Sequence, residues 1–338
     1  MMTSNFPLLK LPLIPLELVV EKLDFLDLLQ LSMKSSKFKR LLELLKLSVC
    51  SLHMYVTKDY YMISILRNSN ICYIEAFDSI PVDTVTELVN IQGEPVHIWM
   101  DDEDEMTVKS ALSELTTLET ITKYIMSFSK VNKYSLTYDD DETEIRTLLI
   151  WQLTTQLDQL KISPDLDIPA FISREDLVFL LEEISVVELH MNAYCPGGFQ
   201  YQKPIRHPSI YIRYPHWIDF DNFSFGSETI TANFSDQKVS NAILNRLIKD
   251  WTEGKCPKLR KVKFTWNEND GESLAMAQEY ATRPPKPVLP NRNIKQLEGL
   301  CINHRIEREI DRNDVFYRVQ LSVCDDFGFN GIHLDDQA

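Results

Sequence analysis

Residues Leu9 to Ser48 read LKLPLIPLELVVEKLDFLDLLQLSMKSSKFKRLLELLKLS. From Leu11 to Ser48, 20 of 38 positions are strongly apolar, more than one face of each short helix can hide. Pro12 and Pro15 fit a first helical turn, where a missing N–H leaves no bond unmade, and they predict a helix from about Leu16 to Leu23. Asp24 then breaks the apolar run and caps a second helix carrying Phe25, Leu28, Leu29 and Leu31. Ser35 or Ser36 caps a third with Phe38, Leu41, Leu42 and Leu45. A unit of roughly 40 residues buries too little surface to be secure without a staple or a partner. Its spare apolar face is therefore expected to dock on something else, the competing expectation being a helical subdomain packed into the chain's own core.

The order of residues in this stretch carries a resemblance. Leu11-Pro12, then Val19-Val20 seven and eight positions after Pro12, Leu23-Asp24, Asp27-Leu28, Leu31-Ser32 and the basic Lys37-Phe38-Lys39 resemble an F-box. Ile14 stands where many F-boxes carry Glu, and no Trp lies near Phe38. The resemblance implies a three-helix segment over 5–50 that binds the Skp-type linker of a cullin-RING ubiquitin ligase. It assigns the linker contacts to Leu11, Pro12, Val19, Val20, Leu23, Leu28, Leu31 and Phe38.

Composition narrows the alternatives. The chain's 338 residues allow two domains. A formal net charge of −15 argues against a general affinity for phosphate backbones, which rests on Lys and Arg. The basic run Lys255, Lys258, Arg260, Lys261 and Lys263 alternates with apolar residues and reads as a solvated strand edge. Six scattered cysteines without a Cys-x-x-Cys pair suggest reduced thiols in the cytoplasm or nucleus. No window approaches 18 uninterrupted apolar residues, so no membrane helix is expected.

Beyond the helices, 51–70 reads as a connector, with aromatic and charged residues mixed from Leu52 to Leu66. Strands are expected at Ile71 to Phe77, Val96 to Met100, Tyr134 to Tyr138 and Leu148 to Leu153, with helical character at Pro81 to Asn90 and Met106 to Leu118. The acidic runs Asp101 to Glu105 and Asp139 to Glu142 are expected as solvated loops or helix starts, since neither has the Gly of a calcium loop. Ser173 caps a helix to Ile184 with Asp176 at its third position, and strands follow at Val186 to Met191, Ser209 to Tyr214 and Glu228 to Phe234. Asp236 caps a further helix bearing Val239, Ile243, Leu247, Ile248 and Trp251. Gly254 and Pro257 end it, and Val262 and Phe264 begin another strand. Arg283 to Arg292 reads as a stiff proline-rich spacer.

The segment LNRLIKDWTEGKCPKLRKVKF, preceded by ETITANFSDQKVS, is similar to the F-box-associated type 2 domain found beside F-boxes in large nematode-type families. That likeness covers about Trp217 to Val323, where Arg312-Asn313-Asp314 replaces the usual Asp-Gly turn. The expected fold is α+β: an N-terminal three-helix F-box, then an α/β leucine-rich-repeat-like domain over 71–334. In such a stack, strand alternation sends Ile210, Ile212, Ile230, Val262, Phe264 and Leu321 inward. Tyr211, Arg213, Thr231, Lys261, Lys263 and Gln320 are left outward. Tyr211, Arg213, Lys261 and Lys263 are the expected target contacts, Tyr and Arg being frequent binding hot spots.

Seven histidines are dispersed, and no nucleophile elbow or phosphate-binding glycine loop occurs. His190 reads as a packed strand residue. No catalytic residue, metal or cofactor is expected. The resemblances imply a substrate-recruiting adaptor that joins a protein target to a Skp-type linker. The alternative is a repeat-type interaction scaffold with no ligase role.

Overall fold

The computed structural model describes residues 11–81, 84–100, 105–140, 143–163, 169–219, 229–233, 261–267, 300–311 and 314–325. The chain divides into two compact units, 1–164 and 165–338.

The first unit opens with α1 (Leu13–Lys22), α2 (Phe25–Lys34) and α3 (Ser36–Leu45). Ser35 caps α3, its hydroxyl accepting from the Phe38 N–H at 3.2 Å. Asp24 holds the N-cap position of α2 with extended backbone, but its carboxylate makes no capping bond. Lys46 ends α3 in the left-handed conformation (φ 53°), its N–H bonded to Leu42 O, and its ammonium donates to Ser127 O at 2.7 Å.

Strands β1 (Leu47–Thr57), β2 (Tyr61–Arg67), β3 (Asn70–Ala76), β4 (Glu87–Ile91), β5 (Glu94–Met100) and β6 (Met106–Ser110) follow. Then come α4 (Glu114–Phe128), β7 (Ser129–Asp139), the short α5 (Ile150–Leu153) and β8 (Gln156–Ile162). Within this unit the strand order is β8-β7-β1-β2-β3-β6-β5-β4. β8, β7 and β1 are parallel, as are β3 and β6, while the remaining neighbours are antiparallel. Alternation puts Leu52, Met54 and Val56 of β1, Ile63 and Ile65 of β2 and Ile74 of β3 on the inner face, all buried. Helix α4 covers that face, burying Leu118, Ile121, Ile125 and Phe128 at helical spacing. Truncating one such fully buried aliphatic side chain costs about 2–5 kcal/mol.

The turn between β2 and β3 joins the helices to this sheet. Asn68 and Ser69 both have positive φ (50° and 70°), the pattern of a two-residue type I′ hairpin. The turn lies at the C-terminal end of α1. Arg67 donates through its two guanidinium nitrogens to Leu23 O (2.8 Å) and Val20 O (3.2 Å), and Asn68 Nδ2 donates to Glu21 O (3.0 Å). Asn70 Nδ2 donates to the Asp24 carboxylate at 2.6 Å. Carbonyls that a helix end leaves without partners are thereby satisfied.

The second unit contains β9 (Ala170–Phe171), α6 (Arg174–Glu182), β10 (Ser185–Met191), β11 (Ala193–Tyr194) and β12 (Ser209–Ile212). β13 (Thr229–Asn233), β14 (Lys261–Asn267), β15 (Leu300–Asp311) and β16 (Asp314–Asp325) complete it. β10, β12, β13 and β14 are parallel in that order, and the β15–β16 hairpin adds antiparallel beyond β14. β9 and β11 form a separate parallel pair. Ser173 caps α6 as expected, accepting from Asp176 N–H at 3.0 Å.

The fold is mixed α and β, with three N-terminal helices followed by extensive, largely parallel sheet. Four local expectations are corrected. Leu52 to Leu66 is not a connector but belongs to the two interior strands β1 and β2, because its apolar residues alternate with period two. Pro81 to Asn90 ends in strand β4, where β-branched Val89 and Ile91 favour extended backbone. Met106 to Leu118 begins as strand β6, and Ser113 starts the helix only afterwards, its hydroxyl accepting from Thr116 N–H. Leu148 to Leu153 is a short helical stretch in which Trp151 Nε1 donates to Ile145 O at 2.6 Å. The helix expected after Asp236 and the proline-rich spacer lie outside the described residues.

Replacing Arg67 with Met keeps the aliphatic stem but strands two helix-end carbonyls. It is expected to lower unfolding free energy by about 2–4 kcal/mol, read as a drop in the urea midpoint with unchanged m-value.

Candidate functional site

The N-terminal helices bury one set of apolar side chains, expose a second and leave several half-buried. Leu16, Val20, Phe25, Leu28, Leu29, Phe38 and Leu42 point inward and are buried. Phe25 packs on Phe128 of α4, with ring centroids 6.5 Å apart. Tyr124 of α4 donates its hydroxyl to Ser32 Oγ at 3.1 Å, and the Lys39 ammonium stands 4.6 Å from the Tyr124 ring centre. On the other side Ile14 (71% exposed), Leu18 (57%) and Leu44 (82%) face outward, with Leu31 also exposed.

The expected linker contacts fall on both sides of this division. Pro12 and Leu31 are exposed, Leu11, Val19 and Leu23 are half-buried, and Val20, Leu28 and Phe38 lie in the chain's own core. Ile14, Leu18 and Leu44, more exposed than Leu31, are not among the expected contacts. Beside the Arg67 clamp a cavity of about 640 Å³ opens, its wall mixing charged side chains such as Glu17, Glu21 and Lys46 with the apolar Leu23, Phe25 and Leu45.

The second candidate surface is the sheet of the C-terminal unit. Register aligns His190, Tyr211, Thr231, Lys263, Gln320 and Arg305 in one row across β10, β12, β13, β14, β16 and β15. The next row runs through Leu189, Ile210, Ile230, Val262 and Leu321. Ile210 and Ile212 are buried as expected, and Tyr211 is half-buried beside His190, with ring centroids 5.7 Å apart. Tyr211 and Lys263 thus share a row, while Lys261 stands opposite Thr229 in the row that also holds Ser209. Arg213 follows the end of β12. Its backbone N–H bonds to Met191 O, its guanidinium lies 5.8 Å from the Tyr214 ring centre, and its enclosed Nη1 has no acceptor among the described residues.

Two histidines are held neutral chiefly by burial. His207 is buried between the end of α6 and the start of β10. Its Nδ1 accepts from Val186 N–H (3.2 Å), and its Nε2 lies 3.0 Å from Leu180 O, which can only accept, so the proton sits on Nε2. Burial pushes the ring's pKa below the ordinary 6.5. His53, on the face of the first sheet opposite α4, stacks on Tyr55 at 4.1 Å and bonds Thr137 Oγ1 at 2.8 Å. Burial, then the nearby Lys161 charge, pushes it down to about 4. Its neighbours are the Thr137 hydroxyl, the Tyr55 ring and the Lys161 charge. Among the described residues no group of three His, Cys, Asp or Glu side chains is arranged to hold a metal, and no described helix is long and apolar enough to cross a membrane.

Two polar features escape a reading of the sequence. Asp140 belongs to a run expected to be solvated, yet it is buried and accepts the Tyr61 hydroxyl at 3.0 Å. The Arg67 clamp was also unforeseen, although Asn68-Ser69 between two alternating runs carries a hairpin signal. No family model, no curated protein and no solved structure matches this chain.

Protonating Nδ1 of His207 would set two donors against each other at Val186. The folded pKa lies below the unfolded one, so the stability held by this ring is complete above about pH 6.5 and is lost as pH falls below it. Amide exchange at Val186, corrected for intrinsic rate, should therefore be faster at pH 5.5 than at pH 7.5. In His207→Gln that difference should disappear.

Proposed function

We propose that this chain is a substrate-recruiting adaptor of an SCF-type cullin-RING ubiquitin ligase. The supporting observation is a three-helix segment locked to a sheet by Arg67 while Ile14, Leu18, Leu31 and Leu44 stand exposed on its outer side. Apolar side chains in that number on one small helical unit suit a partner surface. The F-box resemblance supplies the identity of the partner, a Skp-type linker. In this reading the C-terminal unit is leucine-rich-repeat-like and holds a target protein along the row containing Tyr211 and Lys263. The chain then contributes proximity rather than chemistry. A target Lys held near a charged conjugating enzyme in one assembly reacts as if intramolecularly.

A second reading rests on a specific observation: Val20, Leu28 and Phe38 are already buried in the first unit and cannot meet a partner without opening it. A repeat-type interaction scaffold whose N-terminal helices are core accounts for those three residues.

Capture of a Skp-type linker separates the two. Ile14→Asp combined with Leu18→Asp, and separately Leu11→Ala with Pro12→Ala, should weaken linker pull-down by roughly thirtyfold or more, the effect of losing about 2 kcal/mol at an anchor. The melting temperature should stay within about 2 °C, because these side chains are not buried in the core. Undiminished capture by both variants, or no capture by the wild type, would leave the scaffold. Arg213→Glu with Lys263→Glu should lower target capture and leave linker capture unchanged.

A further inference from the structure

The far edge of the first unit has an unusual charge distribution. From Asn68 to Val108 the sequence contains ten carboxylates and no Lys or Arg. This stretch forms β3 to β6, at whose margin β4 pairs with β5 alone among the described strands. Arg67 directly precedes the stretch and Lys109 directly follows it, and Lys34 of α2 pairs with Glu87 at 2.8 Å. β5 and β6 are joined through Asp101-Asp102-Glu103-Asp104-Glu105, and Met100 and Met106 stand opposite each other at its two ends.

The β4–β5 turn fixes which backbone groups are free. Gln92 and Gly93 have positive φ (56° and 96°), and Ile91 lies opposite Glu94. In a two-residue hairpin that closing pair exchanges hydrogen bonds, and bonded pairs recur at every second position. Val89–Val96 and Glu87–Ile98 are therefore bonded, while Leu88 and Asn90 turn their N–H and C=O outward. Pro95, which has no N–H to give, stands opposite Asn90 at a position where none is required.

Such an edge is usually blunted by Lys, Pro or a covering segment. Here it carries exposed apolar side chains, Val85 (91% exposed) and Leu88 (61%). Alongside lies a cavity of about 250 Å³ walled by Val85, Ile98, Trp99, Met100 and Met106. Methionine walls adapt to varied side chains.

We propose that the outer edge of β4 receives an extended, Lys- and Arg-rich segment of a protein partner, which adds to the sheet as a further strand. Its main chain bonds Leu88 and Asn90, an apolar side chain seats against Val85 and the methionine-walled cavity, and its cations meet the surrounding carboxylates. A second copy of this chain would bring two all-acidic edges together, which like-charge repulsion opposes. The proposal does not rest on linker docking.

The full chain can be titrated with a short labelled peptide of alternating Lys and Val, and with its Glu-Val counterpart, by fluorescence anisotropy. The basic peptide should bind at least about tenfold more tightly, and its affinity should fall severalfold between about 50 and about 300 mM salt as screening grows. Leu88→Pro removes an outward N–H without touching the β4–β5 ladder and should abolish binding. Leu88→Lys, which leaves the backbone intact and adds a like charge, should weaken it and answers the question if the proline variant unfolds. Neutralising the carboxylates of the hairpin by E87Q and E94Q together should weaken binding and flatten its salt dependence. Equal affinity for the two peptides, or full binding by a folded Leu88→Pro protein, overturns strand addition of a basic segment. A concentration-dependent dimer that Leu88→Lys dissolves makes a second copy the occupant and overturns it as well.

Discussion

The guanidinium of Arg67 does what apolar contact alone cannot: it sets an orientation. Helices α1 to α3 carry more apolar surface than they hide among themselves, and burial against the sheet and α4 stabilises them without regard to direction. The bonds from Arg67 to Leu23 and Val20, with Asn68 and Asn70 on either side, fix the end of α1 to one hairpin turn. They also satisfy carbonyls that would otherwise be stranded beside a packed interface. The positive φ values of Asn68 and Ser69 are what bring those donors to the helix end.

With α1 pinned, the two faces of the helical segment are decided together. Val20, Leu28 and Phe38 turn toward α4 and the sheet, and Ile14, Leu18 and Leu44 are turned out as a consequence. A small helical unit that must both anchor to its own chain and meet a partner has to divide its apolar residues between the two tasks. The exposed set is smaller than the sequence suggests because the sheet behind the helices claims part of it. That division is the reason the N-terminal segment is part of a larger unit and not an appendage on a linker.

The three helices were legible because their boundaries are chemical: two prolines, Asp24 and Ser35 mark them whatever packs around. The Tyr211–Thr231–Lys263–Gln320 row was legible because a period of two survives pairing in register, parallel from β12 to β14 and antiparallel from β14 to β16. Where local pattern was ambiguous the reading failed. Leu52 to Leu66 carries His53 and Tyr55 on its open face and Lys58-Asp59 in the turn between its strands, which masks the alternation of Leu52, Met54, Val56, Ile63 and Ile65. Met106 to Leu118 contains a strand and a helix start within one window, and averaging over both yields a false helix. Leu148 to Leu153 is too short and too uniformly apolar for either period to appear. The clamp was out of reach for another reason: Arg67 and Leu23 lie 44 positions apart, and no local propensity encodes such a bond. Asp140 is the same case, its burial depending on Tyr61 from a distant strand.

The position of β1 has a consequence in time. It is an interior strand of the first unit, yet one of its partners, β7, comes far later in the chain: His53 and Thr137, bonded across the pair, are 84 positions apart. On a growing chain, α1 to α3 and the β1–β2–β3 meander can assemble from neighbouring residues. One margin of β1 must then wait, unpaired, until α4 has been made and has carried β7 across the sheet. Closing so long a loop is slow relative to hairpin formation, and an open strand margin is a template for wrong pairing during the delay. Maturation of this unit is therefore paced by the arrival of α4 and β7, and its vulnerability to misassembly is concentrated in the interval before they arrive.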